Sequence, residues 1–470
     1  MRGRALLLLL VAIPLQAEEA KPVANTVEIS VSPAAPPVPA LKIMFQPSLK
    51  ELVPGNPVLG YLKCFMEQDN LYANKEVSED REKMMAMPLA ELKNFKPGTY
   101  NYGDLKYYGG VSSKNARRAT RMETPDWNIV GEMQENGYNT LLPEIQKLRT
   151  LSKVVALKTR GEIMAGDFDE AATDITVILT LAKHLGEHPT YIGTLVGLAI
   201  AQTGLDRIAE LIQQPKAPNL YWALSTLPQP LVRQERAVLG ELMMSPVGLR
   251  NLTDPAKVWG KEEIQQAREF AAIVGSFDHL SKEKREEIDK WLKSRLKDKE
   301  WLDRARLDLV SPTRSGQMLE KYPPEQVVFL AIISKAEARQ HESMKYAMLP
   351  FHQVQEQLMA SEPNSEMPPE VAVTYSLSVW LRKPRVAQAR LEQRIALLRS
   401  VEAVRLYAAA NEGKLPPDLK ATGVPVPLDP VTGGPIQYQV TDGKAVIHGA
   451  PPKGLEKDPT WIRYVVSVRK

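Results

Sequence analysis

The apolar spacing between residues 138 and 211 is the feature that most constrains the fold. At its start, Leu141, Ile145, Leu148, Leu151 and Val155 recur at steps of three and four residues. This spacing places apolar side chains on one face of an α-helix. The pattern predicts a long amphipathic helix that begins near residue 138 and buries that face against other elements.

Turn-forming residues divide the helical region. Gly166 is predicted to end the first helix, because glycine readily adopts the left-handed conformation that follows a helix. Asp167, with Glu170 three residues later, resembles a capping box at the start of a second helix. That second helix is predicted to end near Gly186.

A third helix is predicted after Pro189. It is apolar on almost every side as far as Asp206, so we expect it to be the most buried element. A fourth, interrupted helix is predicted over 219–242. Short connections between long helices favour antiparallel neighbours, so the predicted fold class is mainly α, built from antiparallel helical hairpins. The junction at 165–172 resembles a tetratricopeptide hairpin, but no second copy is found at the expected period of about 34 residues.

The C-terminal part of the chain has a different pattern. Residues 436–440 alternate as a strand, Asp442-Gly443 is typical of a hairpin turn, and 445–448 is predicted to return as a second strand. Residues 461–468 offer a third strand. The sequence therefore predicts a small C-terminal β element next to the last long helix, which is predicted over about 385–411.

Composition divides the chain into five predicted segments. They are a signal peptide (1–17), a Pro-rich tether (18–47), a helical-hairpin domain (48–245), a charged helical region (246–382) and a long helix with a β tail (383–470).

The first segment has the organisation of an export signal. Arg2 and Arg4 precede an apolar run, 5–13, and cleavage is predicted after Ala17. The run is shorter than the roughly 20 residues that span a bilayer, so we expect no transmembrane helix after cleavage and a periplasmic or secreted protein. An uncleaved N-terminal anchor is the alternative. The single cysteine, Cys64, excludes an internal disulfide framework, and we expect it to be buried.

Charge is arranged mainly on helices. The formal net charge is +4 and falls by two when Arg2 and Arg4 are removed, which argues against nucleic acid as a partner. Residues 281–308 predict a solvated helix. The last long helix carries five arginines, which are Arg385, Arg390, Arg394, Arg399 and Arg405. We interpret them as a solvated helix face, and the alternative is that they bind phosphate or lipid headgroups.

About 40 residues near the C-terminus resemble the C-terminal half of type II secretion pseudopilins. In both, a helix is followed by a Gly-x-x-Pro loop, a Pro-x-Asp-Pro turn and a short strand that ends in tyrosine. The residues that carry the resemblance are Tyr407, Gly413, Leu415, Pro416, Pro427, Asp429, Pro430, Gly433, Pro435 and Tyr438. The prepilin leader and the acidic calcium loop of that family are missing, so neither filament assembly nor calcium binding is implied.

The rest of the chain resembles a group of uncharacterised exported bacterial proteins. The resemblance is carried by 54–57 ahead of Tyr61, by Gly166-Asp167 and by 181–185. It implies the helical architecture and export, and it implies no activity.

Two short motifs match catalytic patterns. His184-Leu185-Gly186-Glu187-His188 has the spacing of inverzincins, in which two histidines on one continuous helix bind zinc and the glutamate acts as general base. Gly186 and the proline after His188 favour an interruption of the helix, so the two imidazoles are expected to diverge.

Ser281-x-x-Lys284 has the spacing of a serine nucleophile and a lysine base. That chemistry needs a desolvated lysine, whereas this one lies in a run of charges. Ser281 is better interpreted as a helix N-cap.

We therefore predict no catalytic, cofactor-binding or metal-binding residues. The expected function is that of a non-catalytic scaffold or protein-interaction protein of the bacterial cell envelope with an unknown protein partner. The alternatives are a metal-dependent envelope hydrolase that uses His184, Glu187 and His188, and an accessory factor of a secretion system.

Overall fold

The computed structural model describes residues 25–66, 69–95, 104–247, 250–275, 281–360, 368–376 and 381–469. The predicted signal peptide and the first part of the predicted tether lie outside these ranges. Within them, the structure contains no helix that is both long and apolar enough to cross a membrane.

Helices account for most of the described residues, and four strands form one small sheet. This confirms the predicted fold class. The first strand and the helices of the N-terminal half are β1 (Asn25–Val31), α1 (Pro57–Met66), α2 (Asp69–Ala73), α3 (Lys75–Ala86), α4 (Leu89–Leu92), α5 (Gly110–Ala119), α6 (Val130–Asn136), α7 (Pro143–Ala165), α8 (Phe168–Gly186), α9 (Tyr191–Leu211) and α10 (Tyr221–Ser225).

The second half continues with further helices and ends in three strands. They are α11 (Glu235–Val247), α12 (Arg250–Thr253), α13 (Lys261–Gly275), α14 (Lys282–Arg295), α15 (Lys299–Asp308), α16 (Gly316–Glu320), α17 (Pro324–Met344), α18 (Phe351–Ala360), α19 (Pro369–Ser376), α20 (Arg382–Ala410), β2 (Gln437–Thr441), β3 (Lys444–His448) and β4 (Ile462–Val468).

The α7–α8 hairpin follows the sequence prediction closely. Gly166 has φ 77° directly after α7, and its amide donates to the carbonyl of Ile163 over 3.1 Å. Asp167 occupies the N-cap position of α8, but its side chain accepts no capping hydrogen bond. The predicted capping box is therefore not formed, and the glycine turn itself fixes the start of α8.

Helix α9 is largely buried, with 14 of its 21 residues buried, and α20 is buried to a similar fraction, with 19 of 29. From residue 384 to residue 408, α20 has no exposed residue, because the helical hairpins lie on one side of it and the sheet packs on another. In α9, by contrast, Ile192 is 55% exposed and Leu195 is 41% exposed. The apolar surface that predicted complete burial of α9 is thus left partly uncovered near its N-terminus.

Residues 25–45 are ordered structure rather than an extended tether. Strand β1 pairs in parallel with β4, from Asn25 opposite Ile462 to Val31 opposite Val468. Ile29 and Val31 point into the core and are almost completely buried. The tether prediction fails here because 25–31 contains no proline and alternates apolar with polar residues, which suits a sheet edge.

The C-terminal strands match the prediction. Strands β2 and β3 form an antiparallel hairpin, and Asp442 and Gly443 at its turn have φ 51° and 73°, as a type I′ turn requires. The sheet order is β1-β4-β3-β2. The N-terminal strand therefore completes a sheet that the sequence assigned to the C-terminus alone.

One hydrophobic core joins segments that were predicted as separate. It contains residues from β1, from α7–α9, from α20 and from β3–β4. A second core is formed largely by α14, α15, α17 and α19. The helical-hairpin domain and the C-terminal segment therefore share a core, while much of the charged region has its own. The composition of the separate segments could not predict this shared core, because residues that are far apart along the chain can pack against each other.

Candidate interaction surface

The two histidines of the inverzincin-like motif lie in different surroundings. His184 is in the last turn of α8 and is 1% exposed. Its Nδ1 lies 2.7 Å from the Tyr61 hydroxyl of α1. Burial, together with the charge of the nearby Lys183, lowers the pKa of His184 to about 3. His184 is therefore a neutral core residue at physiological pH.

His188 lies beyond the helix, because α8 ends at Gly186. Its Nδ1 is 2.9 Å from the Thr190 hydroxyl, and its ring meets the Trp127 ring edge to face with centroids 5.0 Å apart. Burial lowers the pKa of His188 to about 4. The side chains of His184 and His188 thus bind to different elements, as the glycine in the motif predicts.

The carboxylates near these histidines do not complete a metal site. Glu187 uses its backbone amide to close the end of α8, and the Glu144 carboxylate is 4.0 Å from His188 Nε2. Among the described residues, no three His, Cys, Asp or Glu side chains come together in a way that could hold a metal ion.

Ser281 is the N-cap of α14. Its hydroxyl accepts a hydrogen bond from the Lys284 amide over 3.2 Å, and the Lys284 ammonium lies 2.7 Å from the Glu287 carboxylate. This is the predicted capping role, and it leaves no serine–lysine pair for nucleophilic chemistry. Cys64 is also buried, with its Sγ 3.4 Å from the carbonyl oxygens of Gly60 and Ser112.

The arginines of α20 do not form a solvated face. Arg405 is completely buried and donates to the carbonyls of Ser32 and Ala217. Arg385 is 5% exposed and donates to the side chain of Gln388. The prediction of a solvated or headgroup-binding face is therefore wrong for the buried arginines. Their hydrogen bonds instead hold α20 against the surrounding segments.

Residues of α9 and α20 line a groove, which we call the α9–α20 groove. Its cavity has a volume of about 340 Å³. Stripes at helical spacing form the two long walls, and residues before and within β4 close one end. The lining residues are Leu195, Leu198, Ala199 and Gln202 of α9, Ala387, Arg390, Gln393, Arg394 and Leu397 of α20, and Thr460 and Ile462.

Ion pairs neutralise both arginines of the groove. Arg390 donates to Asp458 over 2.8 Å, and its guanidinium lies 5.1 Å from the centre of the Trp461 ring. Arg394 donates to Asp206 over 2.6 Å and to the Gln202 side chain over 2.7 Å. Because these cations already have carboxylate partners, the groove offers apolar side chains between paired charges rather than an anion site.

Apolar side chains continue from the groove onto the protein surface. Of the lining residues, Leu198 and Leu397 are buried and Leu195 is 41% exposed, while Ile192, about one turn before Leu195 on α9 and outside the lining, is 55% exposed. Contiguous exposed apolar surface next to a preformed cavity is typical of a binding site. The sequence contained this signal as the excess apolar content of α9, but the pattern alone could not show which side stays uncovered.

Comparison with protein-family models, with curated proteins and with solved structures finds no match for this chain. Its function is therefore inferred from its own residues and their geometry.

Proposed function

We propose that this chain is a non-catalytic protein-interaction protein of the bacterial cell envelope, which holds an apolar segment of a partner protein in the α9–α20 groove. The observation that carries the proposal is the pair of exposed side chains, Ile192 and Leu195, beside a preformed apolar cavity. A partner side chain that enters such a pocket gains the burial energy that typically dominates protein interfaces.

The chemistry of the rim supports an apolar segment over an anionic small molecule. Arg390 and Arg394 are both paired with aspartates, so an anion entering the groove would have to displace an existing carboxylate. An apolar side chain requires no such exchange. The export signal predicted from the N-terminal residues supports the envelope as the compartment.

Site-specific photo-crosslinking in the native envelope tests this function. A crosslinking residue at Leu195 is expected to give one adduct of defined mass, and Ile192→Glu is expected to abolish that adduct. Leu307 is 73% exposed on α15 and provides the matched control position, at which no such adduct is expected. Equal adducts at both positions, or none at either, would contradict the proposal.

A metal analysis of the purified protein addresses the hydrolase alternative. We expect no stoichiometric zinc, because His184 and His188 contact different elements and no group of three potential ligands forms among the described residues. Stoichiometric zinc that is lost on His184→Asn would replace the interaction function with a metal-dependent one.

A further inference from the structure

Helix α5 and the residue after its C-cap place four cations on one side of the helix. Lys114, Arg117, Arg118 and Arg121 are spaced by three, one and three residues, which aligns them along roughly 10 Å of helix axis. The net charge of the whole chain hides this local cluster.

The opposite face of α5 holds the helix firmly in the fold. It consists of small buried residues: Ser112, Ser113, Ala116 and Ala119. Gly60 of α1 packs so closely against Ala119 that a Cβ at Gly60 would lie 2.8 Å from the Ala119 side chain. The cations therefore project from a rigid helix rather than from a mobile loop.

The segment before α1 forms the second wall of a groove, which we call the α5 groove. The amide of Val53 donates to the carbonyl of Arg121 over 2.9 Å and fixes this wall next to α5. The resulting cavity has a volume of about 340 Å³ and is lined by Val53, Pro54, Met122 and the four cations. A second cavity of about 250 Å³ shares Arg117 and Arg121 and continues toward Lys42.

Among the residues that the structure describes, Arg117 is the one of these four cations that forms ion pairs. Arg117 donates to Glu170 over 2.8 Å and to Asp174 over 2.7 Å. In the part of the chain that the structure describes, no carboxylate comes within ion-pair distance of Lys114, Arg118 or Arg121. Among the described residues, Lys114 and Arg118 thus lack an ion-pair partner, and Arg121 forms no ion pair, although it is close enough to the Glu51 carboxylate of the adjoining cavity to lower the pKa of Glu51.

We infer that the α5 groove binds an acidic peptide segment of a partner protein, in which carboxylates alternate with apolar residues. The free cations fit the carboxylates, and Arg118 and Arg121 can engage them in bidentate fashion. Val53, Pro54 and Met122 fit the apolar residues. An extended peptide presents same-side side chains at roughly 7 Å intervals, which suits cations spread over two turns of helix.

Two other anionic partners fit the groove less well. A bilayer surface is flat, whereas these cations line a recessed cavity. A dense polyanion would be repelled by the Glu51 carboxylate in the adjoining cavity. It also carries no apolar groups that could pack against the apolar wall. The α5 groove shares no lining residue with the α9–α20 groove, so this site is independent of the proposed function.

Fluorescence anisotropy with the purified full chain tests the inference. The probe is a fluorescein-labelled peptide of alternating glutamate and valine. The site variant is R118Q/R121Q, which removes the positive charges of two exposed side chains. The control is K290Q/K297Q, which removes the same charge from exposed positions near the other core. Thermal unfolding of both variants verifies that they are folded.

We expect the wild-type chain to bind the probe and R118Q/R121Q to bind it roughly tenfold more weakly, while K290Q/K297Q and Leu195→Glu leave the affinity unchanged. Equal weakening in both double variants would show attraction by the overall charge and would overturn the site. Tighter, Arg118-dependent binding of phosphatidylglycerol vesicles or polyphosphate would overturn the ligand class. A failure of the wild-type chain to bind the peptide would overturn the inference entirely.

Discussion

Helices α20 and α14 are both rich in charged residues, yet they occupy opposite environments. Every residue from 384 to 408 of α20 is buried or half-buried, whereas Ile288 alone is buried among the residues of α14. The apolar residues of α14 form a narrow seam, while those of α20 surround the helix. The comparison teaches that the distribution of apolar residues, rather than the number of charges, decides which charged helix is buried.

The buried ion pair of α20 is tolerated because both of its members find several partners. Arg405 reaches the carboxylate of Glu402 over 2.8 Å and also backbone carbonyls of two distant segments. The Glu402 carboxylate accepts in addition from the Leu220 amide over 2.6 Å. In α14 the ion pairs are short-range, and the one between Asp289 and Lys293 is exposed on both sides.

The largest expected effect comes from breaking the buried pair of α20. Arg405→Met should lower the free energy of unfolding by about 3–5 kcal/mol, because the Glu402 carboxylate is left buried without its counter-charge. Chemical denaturation measures the loss. The double variant E402Q/R405M removes both charges and should recover part of it. If R405M lowers the free energy of unfolding by less than about 0.5 kcal/mol, the ion pair of α20 contributes no more than an exposed pair of α14, and the contrast between the two helices is contradicted.

A second contrast between α20 and α14 is the pH dependence of stability that their glutamates produce. Glu392 of α20 accepts a hydrogen bond from the Leu231 amide over 2.9 Å, and burial raises its pKa to about 7. In the unfolded chain its pKa returns to about 4.5, so between these values the unfolded state releases the proton first. The contribution of Glu392 to the free energy of unfolding should therefore fall as pH rises from 4.5 to 7, by on the order of 2 kcal/mol.

Glu392→Gln removes this contribution, so the free energy of unfolding of the variant relative to the wild type should rise by the same amount between pH 4.5 and 7. Denaturation midpoints of both proteins across this range supply the comparison, and Glu286→Gln on the exposed face of α14 is the control. A wild-type profile that stays parallel to that of the E392Q variant would show that Glu392 titrates normally in the folded state.

The start of α14 should be more sensitive than its surface charges. Ser281→Ala removes the hydroxyl that accepts from the Lys284 amide and should cost about 1 kcal/mol. Ser281→Asp preserves an acceptor at the cap and should retain most of the stability. Thermal denaturation distinguishes these variants, and equal stability of the alanine and aspartate variants would argue against capping as the cause.

The smallest effect is expected for the exposed ion pair of α14. Asp289→Ala should change the free energy of unfolding by less than about 0.5 kcal/mol, since solvent screens both partners. The same measurement at high salt should show an even smaller difference. A change comparable to that of R405M would mean that α14 is packed far more tightly than its exposure indicates.

Local patterns predicted much of the fold. The spacing of Leu148 and Leu151, the glycine after α7 and the Asp-Gly turn each depend on a few neighbouring residues, and the structure confirms all three. The strand at 25–31 was missed because its partner, β4, lies more than 400 residues away. The candidate surfaces were missed for a similar reason: exposure of Ile192 depends on how far α20 extends over α9.

The sequence alone determined the helices, their turns and the C-terminal hairpin, because backbone conformation responds to the spacing of apolar side chains and to residues such as glycine within a few positions. Tertiary structure alone decided that Arg405 is buried while Arg118 faces solvent, that the first strand joins the last, and that two grooves remain open. These outcomes depend on which distant segments meet, and the free energy of burying a charge is set by the partners that those segments bring.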